Sequence, residues 1–234
     1  METREQLSTR FSAISPAIPV VMGYLPIGFA YGVLAINAGL TIFETIAMSI
    51  FVYAGSAQLM AVSLFAQGIN PFSIIATTFI VNLRHLLMSA SLSPHMDRWN
   101  NGQVAAFCYE LTDESFGVHS LRFKRGENAP GQTLGINLTC QLAWVAGTSL
   151  GALAGGLISD VRPFALDYAL PAMFIALLVL QLRKKLHVIV AIFSGVLSLG
   201  LWSAGVTQWN VILAAILGAT LGAGVETWVK QKSS

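Results

Sequence analysis

The chain has 234 residues, 55% of them apolar and 10% charged, with a net charge of +2. That charge offers no basic field for nucleic acid, and the hydrophobicity excludes low-complexity disorder. The charges are also confined: residues 11–43, 45–83, 128–159, 168–182 and 186–225 contain no Lys, Arg, Asp or Glu. Helices in those runs have no charged face to turn to water. At about 20 residues per crossing, the longer runs hold one span and much of a second. They are unbroken rather than alternating, which excludes an outer-membrane barrel. The chain is expected to be an all-α, polytopic membrane protein forming one transmembrane domain over residues 1–234.

The polar start METREQLSTR precedes a first apolar run too long for a signal peptide, with no small-x-small cleavage site. Residues 1–15 are therefore expected to be a cytoplasmic N-terminal segment before an uncleaved first span. Ser15 and Pro16 suit a helix start, and span 1 is predicted over 16–36, ending at Asn37-Ala38-Gly39. Span 2 is predicted over 42–66, stopped by Gly68 and Pro71, and span 3 over 71–92, stopped by Ser93 and Pro94. Residues 104–122 are more polar but helical in pattern. After the basic loop FKRGENAPG come span 5 (132–158), span 6 (165–182), span 7 (186–203) and span 8 (209–229). Cys108 and Cys140 fall within helical segments and read as free thiols.

Positive residues collect on the cytoplasmic side of a membrane. If 104–122 crosses, the basic residues of both termini, of 122–125 and of 183–185 all lie inside with the two ends of the chain. Arg98 and Arg162 alone are then outside, and Arg84 is within the membrane. If 104–122 lies on the surface, the count is seven spans and the segregation is weaker. Eight spans are expected. A faint repeat supports that number: shifted by 123 positions, Glu44, Phe51, Gln58 and Leu59 meet Asp167, Phe174, Gln181 and Leu182. This suggests two three-span units about a linking span. Glycines four apart at Gly28/Gly32, Gly147/Gly151/Gly155 and Gly218/Gly222 mark close helix packing.

The polar residues inside the spans carry the functional expectation. Arg84 and His85 interrupt span 3, where Thr78, Asn82, His85 and Ser89 form one helical stripe and Thr77, Arg84 and Ser91 another. A central Arg costs at least ~2.5–3.5 kcal/mol, so it must face protein or water and find a partner. The alternative is that it snorkels or braces two helices. Partner acids lie in 104–122, where Glu110, Asp113 and Glu114 would share one face of a continuous helix. The competing picture is a surface helix with a solvated acidic side. In span 2, Tyr53-Ala54-Gly55-Ser56-Ala57-Gln58 permits a helix interruption that frees backbone groups for a polar ligand. Glu44 sits near a span end and is expected to face water; His119 and His187 lie at segment edges. No phosphate loop, HExxH, CxxC or GxSxG pattern is present, so neither an enzyme nor a metal or cofactor site is expected.

The motifs YAGSAQ (53–58), NLRH (82–85) and YELTDESF (109–116), with GYLPIGFAYG (23–32) before them, resemble those of AzlC-type branched-chain amino acid exporters. The resemblance covers about 16–228. It implies export of branched-chain and similar amino acids across a bacterial cytoplasmic membrane, together with a small four-span AzlD-like subunit. The chemistry of the residues agrees. A zwitterion needs a cation for its carboxylate, which Arg84 supplies, and an acid for its ammonium, which Asp113 or Glu114 supplies. Tyr53, Ser56, Gln58 and Asn82 complete the expected site, with Phe51 and Met60 as an apolar pocket. Asp113, Glu114 and His85 are the candidates for carrying protons. The alternatives are a channel or importer for another small organic anion or amino acid, and a non-transporting membrane scaffold.

Overall fold

A computed structural model describes residues 15–158, 185–206 and 210–232, with scattered positions between 163 and 182. Residues 1–14, most of predicted span 6, and the repeat partners Asp167, Phe174 and Gln181 lie outside the described residues. The described residues are helical and contain no strand. After a 3-10 turn at Ser15–Ala17 come α1 (Ile18–Asn37), α2 (Ile42–Phe51), α3 (Gly55–Ala66) and α4 (Pro71–Leu92). Then follow α5 (Asn101–Tyr109), α6 (Asp113–Lys124), α7 (Pro130–Gly155), α8 (Lys185–Ser203) and α9 (Asn210–Lys232). The chain divides into two compact units, Met1–Met173 and Phe174–Ser234.

Five predicted spans match single helices, and two segments do not. Predicted span 2 is two helices, α2 and α3, because the chain leaves the helix at Val52, Tyr53 and Ala54. The expected interruption at YAGSAQ is present. Segment 104–122 is also two helices, α5 and α6, separated by Glu110, Leu111 and Thr112. This corrects the continuous acidic face. Local capping explains the second break: Thr112 N–H donates to Ser115 Oγ at 2.9 Å, and Ser115 N–H donates to Thr112 Oγ1 at 3.3 Å. That reciprocal box starts a new helix at Asp113. Its first turn carries Asp113 and Glu114, where the helix dipole favours negative charge. At 9 and 12 residues, α5 and α6 are each too short to cross a membrane alone.

The first unit is organised around α1 and α7. Their glycines face each other and let the backbones nearly touch. A Cβ on Gly147 would lie 2.6 Å from the Leu25 carbonyl oxygen, and one on Gly28 would lie 2.9 Å from that of Trp144. Gly32 and Gly151 are tighter still, against the carbonyl oxygens of Thr148 and Phe29. A second cluster joins Leu92, Met96, Trp99, Phe107, Leu111 and Phe123 and fixes the ends of α4, α5 and α6 together. Outside, α4 exposes Phe72, Ile75, Phe79, Leu83 and Leu86, a helical stripe suited to hydrocarbon. The helical stretches Ser15–Asn37, Pro71–His95 and Lys185–Ser203 are long and apolar enough to span a membrane.

In the second unit α8 and α9 pack on each other, with Gly218 beneath Ser194 and Gly222 beneath Val190. Asn210 Nδ2 donates to Ser198 Oγ at 3.2 Å and ties the two helices across their connection.

Candidate functional site

Both helix interruptions open on the same place. Tyr53, Ala54 and Gly55 from the first, and Thr112, Asp113 and Glu114 from the second, line one enclosed cavity. Arg84 and His85 from α4, Tyr24 from α1, Trp144 from α7 and Met173 complete its wall. Its free space is about 10 Å³, room for about one water.

At its centre Arg84 Nη2 meets Asp113 Oδ2 at 2.8 Å, and the same guanidinium also donates to the Ser56 hydroxyl. The intramembrane Arg therefore has the acidic partner its position demands. The two acids of the motif are handled differently. Among the described residues Glu114 forms no ion pair; Tyr24 donates its hydroxyl to Glu114 Oε2 at 2.8 Å and lies 2.6 Å from Thr112 Oγ1. Tyr24 also packs edge-on against Trp144 with ring centroids 5.3 Å apart.

Behind this wall runs a buried polar chain. Trp144 Nε1 donates to Gln58 Oε1 at 3.1 Å, Gln58 Nε2 donates to Ser49 Oγ at 3.1 Å, and Ser49 lies 2.8 Å from Thr148 Oγ1. The chain ties α2 and α3 to α7 on either side of the break. The break also strands the Ile50 carbonyl, which loses its acceptor role within the helix; it is bonded instead by the Tyr109 hydroxyl and, at 3.3 Å, by Gln141 Nε2. Tyr53 sits at φ +41°, a left-handed conformation that a bulky residue seldom adopts. Its hydroxyl is buried and has no hydrogen-bond partner among the described residues, as is true of Arg84 Nε and His85 Nε2. Gly55 is needed because a Cβ there would lie 2.7 Å from the Trp144 ring.

Of the expected site residues, Arg84, Asp113, Glu114, His85 and Tyr53 reach the cavity, and Ser56 reaches it through Arg84. Gln58 stands one layer behind. Asn82 is not on the wall, and its Oδ1 is buried with no hydrogen-bond partner among the described residues. Phe51 is 76% exposed and lines an outer apolar groove with Phe43 and Phe65. Met60 is not on the cavity wall either. Thr78, on the same half-buried stripe of α4 as Asn82, His85 and Ser89, bonds back to the Ile74 carbonyl at 2.8 Å and is not on the cavity wall. Glu44 is exposed in a capping box with Thr41.

Tyr24, Thr112 and Trp144 are wall residues that the sequence pattern does not single out. Thr112 carried a usable signal, because Thr followed by two acids and Ser is the composition of a helix start. By spacing and polarity Tyr24 and Trp144 carried none, since an aromatic in an apolar run reads as packing, although Tyr24 stands in the motif GYLPIGFAYG. His119 is not at an edge: it is fully buried, 2.7 Å from Asn137 Oδ1 and packed against Phe107 and Phe123.

Residues 19–158, which hold nearly the whole cavity wall, match the family described as AzlC protein. A membrane protein of Archaeoglobus fulgidus is 33% identical over 207 residues, covering 88% of this chain and 90% of its own length. The inner membrane protein YgaZ of Escherichia coli K12 is 28% identical over 222 residues, 92% of this chain and 88% of that one. The branched-chain amino acid transport protein AzlC of Bacillus subtilis is 28% identical over 211 residues, 86% and 78% of the two chains. No solved structure matches the chain.

Proposed function

The chain belongs to the AzlC family of membrane transport proteins, and we propose that it exports branched-chain and similar hydrophobic amino acids from the cytoplasm. In this reading it sits in a bacterial inner membrane with both termini inside and works beside a small four-span AzlD-like subunit. The similarity to the Bacillus protein, named for branched-chain amino acid transport, supports the substrate class.

The observation that carries the reading is the Arg84–Asp113 pair inside an enclosed cavity. An amino acid zwitterion carries the same two charges. Its carboxylate replaces Asp113 on the guanidinium, for which a planar fork of donors is well suited. The displaced Asp113 is then free to face the ammonium, and Tyr24, Trp144 and Met173 offer apolar surface to the side chain. Free space of about 10 Å³ admits no amino acid as it stands, so binding requires the cavity to widen. The two helix interruptions at 52–54 and 110–112 supply the places where the wall gives without breaking helical hydrogen bonds.

The test is efflux of preloaded labelled leucine, isoleucine, valine and methionine from cells expressing the chain with and without a small four-span subunit. Efflux above the vector control is expected, and its loss in Arg84→Ala at equal membrane level. Uptake without efflux supports the importer instead. No movement of any of the four in either direction overturns the amino acid reading.

A further inference from the structure

The apolar side of the cavity closes at one corner. A Cβ on Gly55 would lie 2.7 Å from Trp144 Cη2 and 3.2 Å from Met173 Cε, so the first residue of α3, the indole and the thioether methyl converge there. Met173 is 7% exposed, and among the described residues it is the one aliphatic side chain longer than alanine on the cavity wall. The rings of Tyr24 and Trp144 are tied in place, Tyr24 through its hydroxyl to Glu114 and Thr112, Trp144 through Nε1 to Gln58. A thioether chain carries no N–H or O–H to tether it and turns about three bonds. Met173 is therefore the part of the apolar wall that withdraws at least cost. The charged anchor is next to this corner. Arg84 donates to the hydroxyl of Ser56, the residue after Gly55, and consecutive Cα atoms are about 3.8 Å apart. An α-amino acid has the same layout, since its two charged groups and its side chain branch from one carbon.

We propose that Met173 determines which amino acids the protein accepts: in the closed cavity its side chain fills the place that the substrate's side chain takes when Arg84 and Asp113 hold the zwitterion. This deepens the amino acid reading above and rests on it. Leucine and methionine side chains are close in volume, and such exchanges are the best tolerated in packed protein. A leucine, isoleucine or methionine substrate therefore restores, against Trp144 and Gly55, the contacts that Met173 gives up. Alanine leaves part of the corner unfilled, and phenylalanine overfills it. Gly55 serves the same corner from α3, because any side chain there would occupy it permanently. The exchange is neutral in charge, since one uncharged side chain replaces another and the zwitterion adds no net charge to the Arg84–Asp113 pair.

The experiment compares the affinities of the purified full chain in detergent for alanine, leucine and phenylalanine. Ratios between ligands are read, because they do not depend on the fraction of protein that is folded. The parent should prefer leucine to the other two. Met173→Ala widens the corner and should raise the affinity for phenylalanine relative to leucine by about tenfold or more. Met173→Phe narrows it and should raise the affinity for alanine relative to leucine by about the same factor. A residue that only packs the wall would change all three affinities by one factor. A second measurement uses the parent itself, labelled with carbon-13 at its methionine methyls. The Met173 resonance, assigned by its loss in Met173→Leu, should shift on adding leucine and far less on adding glycine, which has no side chain to displace it. Ratios unchanged in both variants overturn the proposal and leave the amino acid reading intact, as does a Met173 resonance that saturating leucine does not move. Failure of the parent chain to bind leucine, valine, isoleucine or methionine overturns both.

Discussion

Arg84 and Asp113, 29 positions apart in sequence, meet at 2.8 Å between α4 and the first residue of α6. Neither helix brings the pair together by its own periodicity. The contact exists because the chain breaks at 110–112 and sets the start of α6 against the middle of α4. Removing one partner leaves the other desolvated and uncompensated. Arg84→Ala and Asp113→Asn should therefore each lower the melting temperature of the purified protein. The double variant should lose less than the two losses added, with a coupling of about 1–3 kcal/mol. The cycle with Glu114→Gln should show a smaller coupling, because Glu114 lies on the same cavity wall but makes no ion pair with Arg84. Additivity in the Asp113 cycle would mean that the pair does not form.

The glycine seam should tolerate almost nothing. Gly151→Ala sets a methyl against the Phe29 carbonyl and forces α1 and α7 apart, at a cost of about 1–3 kcal/mol or more. Gly23→Ala meets nothing within 4 Å and serves as the control. Folded protein recovered after detergent extraction should fall for the first and hold for the second. Equal recovery would remove the seam from the account of stability.

Gln58 links Trp144 to Ser49 and is fully buried. Gln58→Leu, of similar size, should leave the indole N–H and the Ser49 hydroxyl seeking partners, at about 1–3 kcal/mol. Thermal melting measures this, and leucine binding should weaken as the Trp144 ring loses its anchor. A melting point equal to the parent's would show that the polar chain is dispensable.

Topology is open to direct labelling. Single cysteines at 97 and 127, placed in a chain lacking Cys108 and Cys140, should react with an impermeant reagent from opposite sides of the membrane. The residue at 127 is expected inside. Labelling from the same side would make α5 and α6 a re-entrant or surface pair and reduce the number of spans.

Charge-free apolar runs are enough to determine that this chain enters a membrane and where most of its helices begin and end, since hydropathy and turn chemistry act over a few residues. Pro71 and Asn70 start α4, and Pro130 starts α7. The need of Arg84 for an acid follows from the cost of a buried charge and is equally local. Which acid answers it is not local. Under a single helix through 104–122, Asp113 and Glu114 are adjacent acids on one face, with nothing to distinguish them. The Thr112 capping box ends that continuity, and packing then delivers Asp113 to Arg84 and Glu114 to Tyr24. The same reason removes Phe51 and Met60 from the cavity and brings in Trp144. A side chain's place depends on the helix packed beside it, here fixed by glycines that let α1 and α7 touch. Composition marks those glycines as a packing surface but does not state their partners. Only the docked helices decide that Tyr24 and Trp144 close over the two breaks.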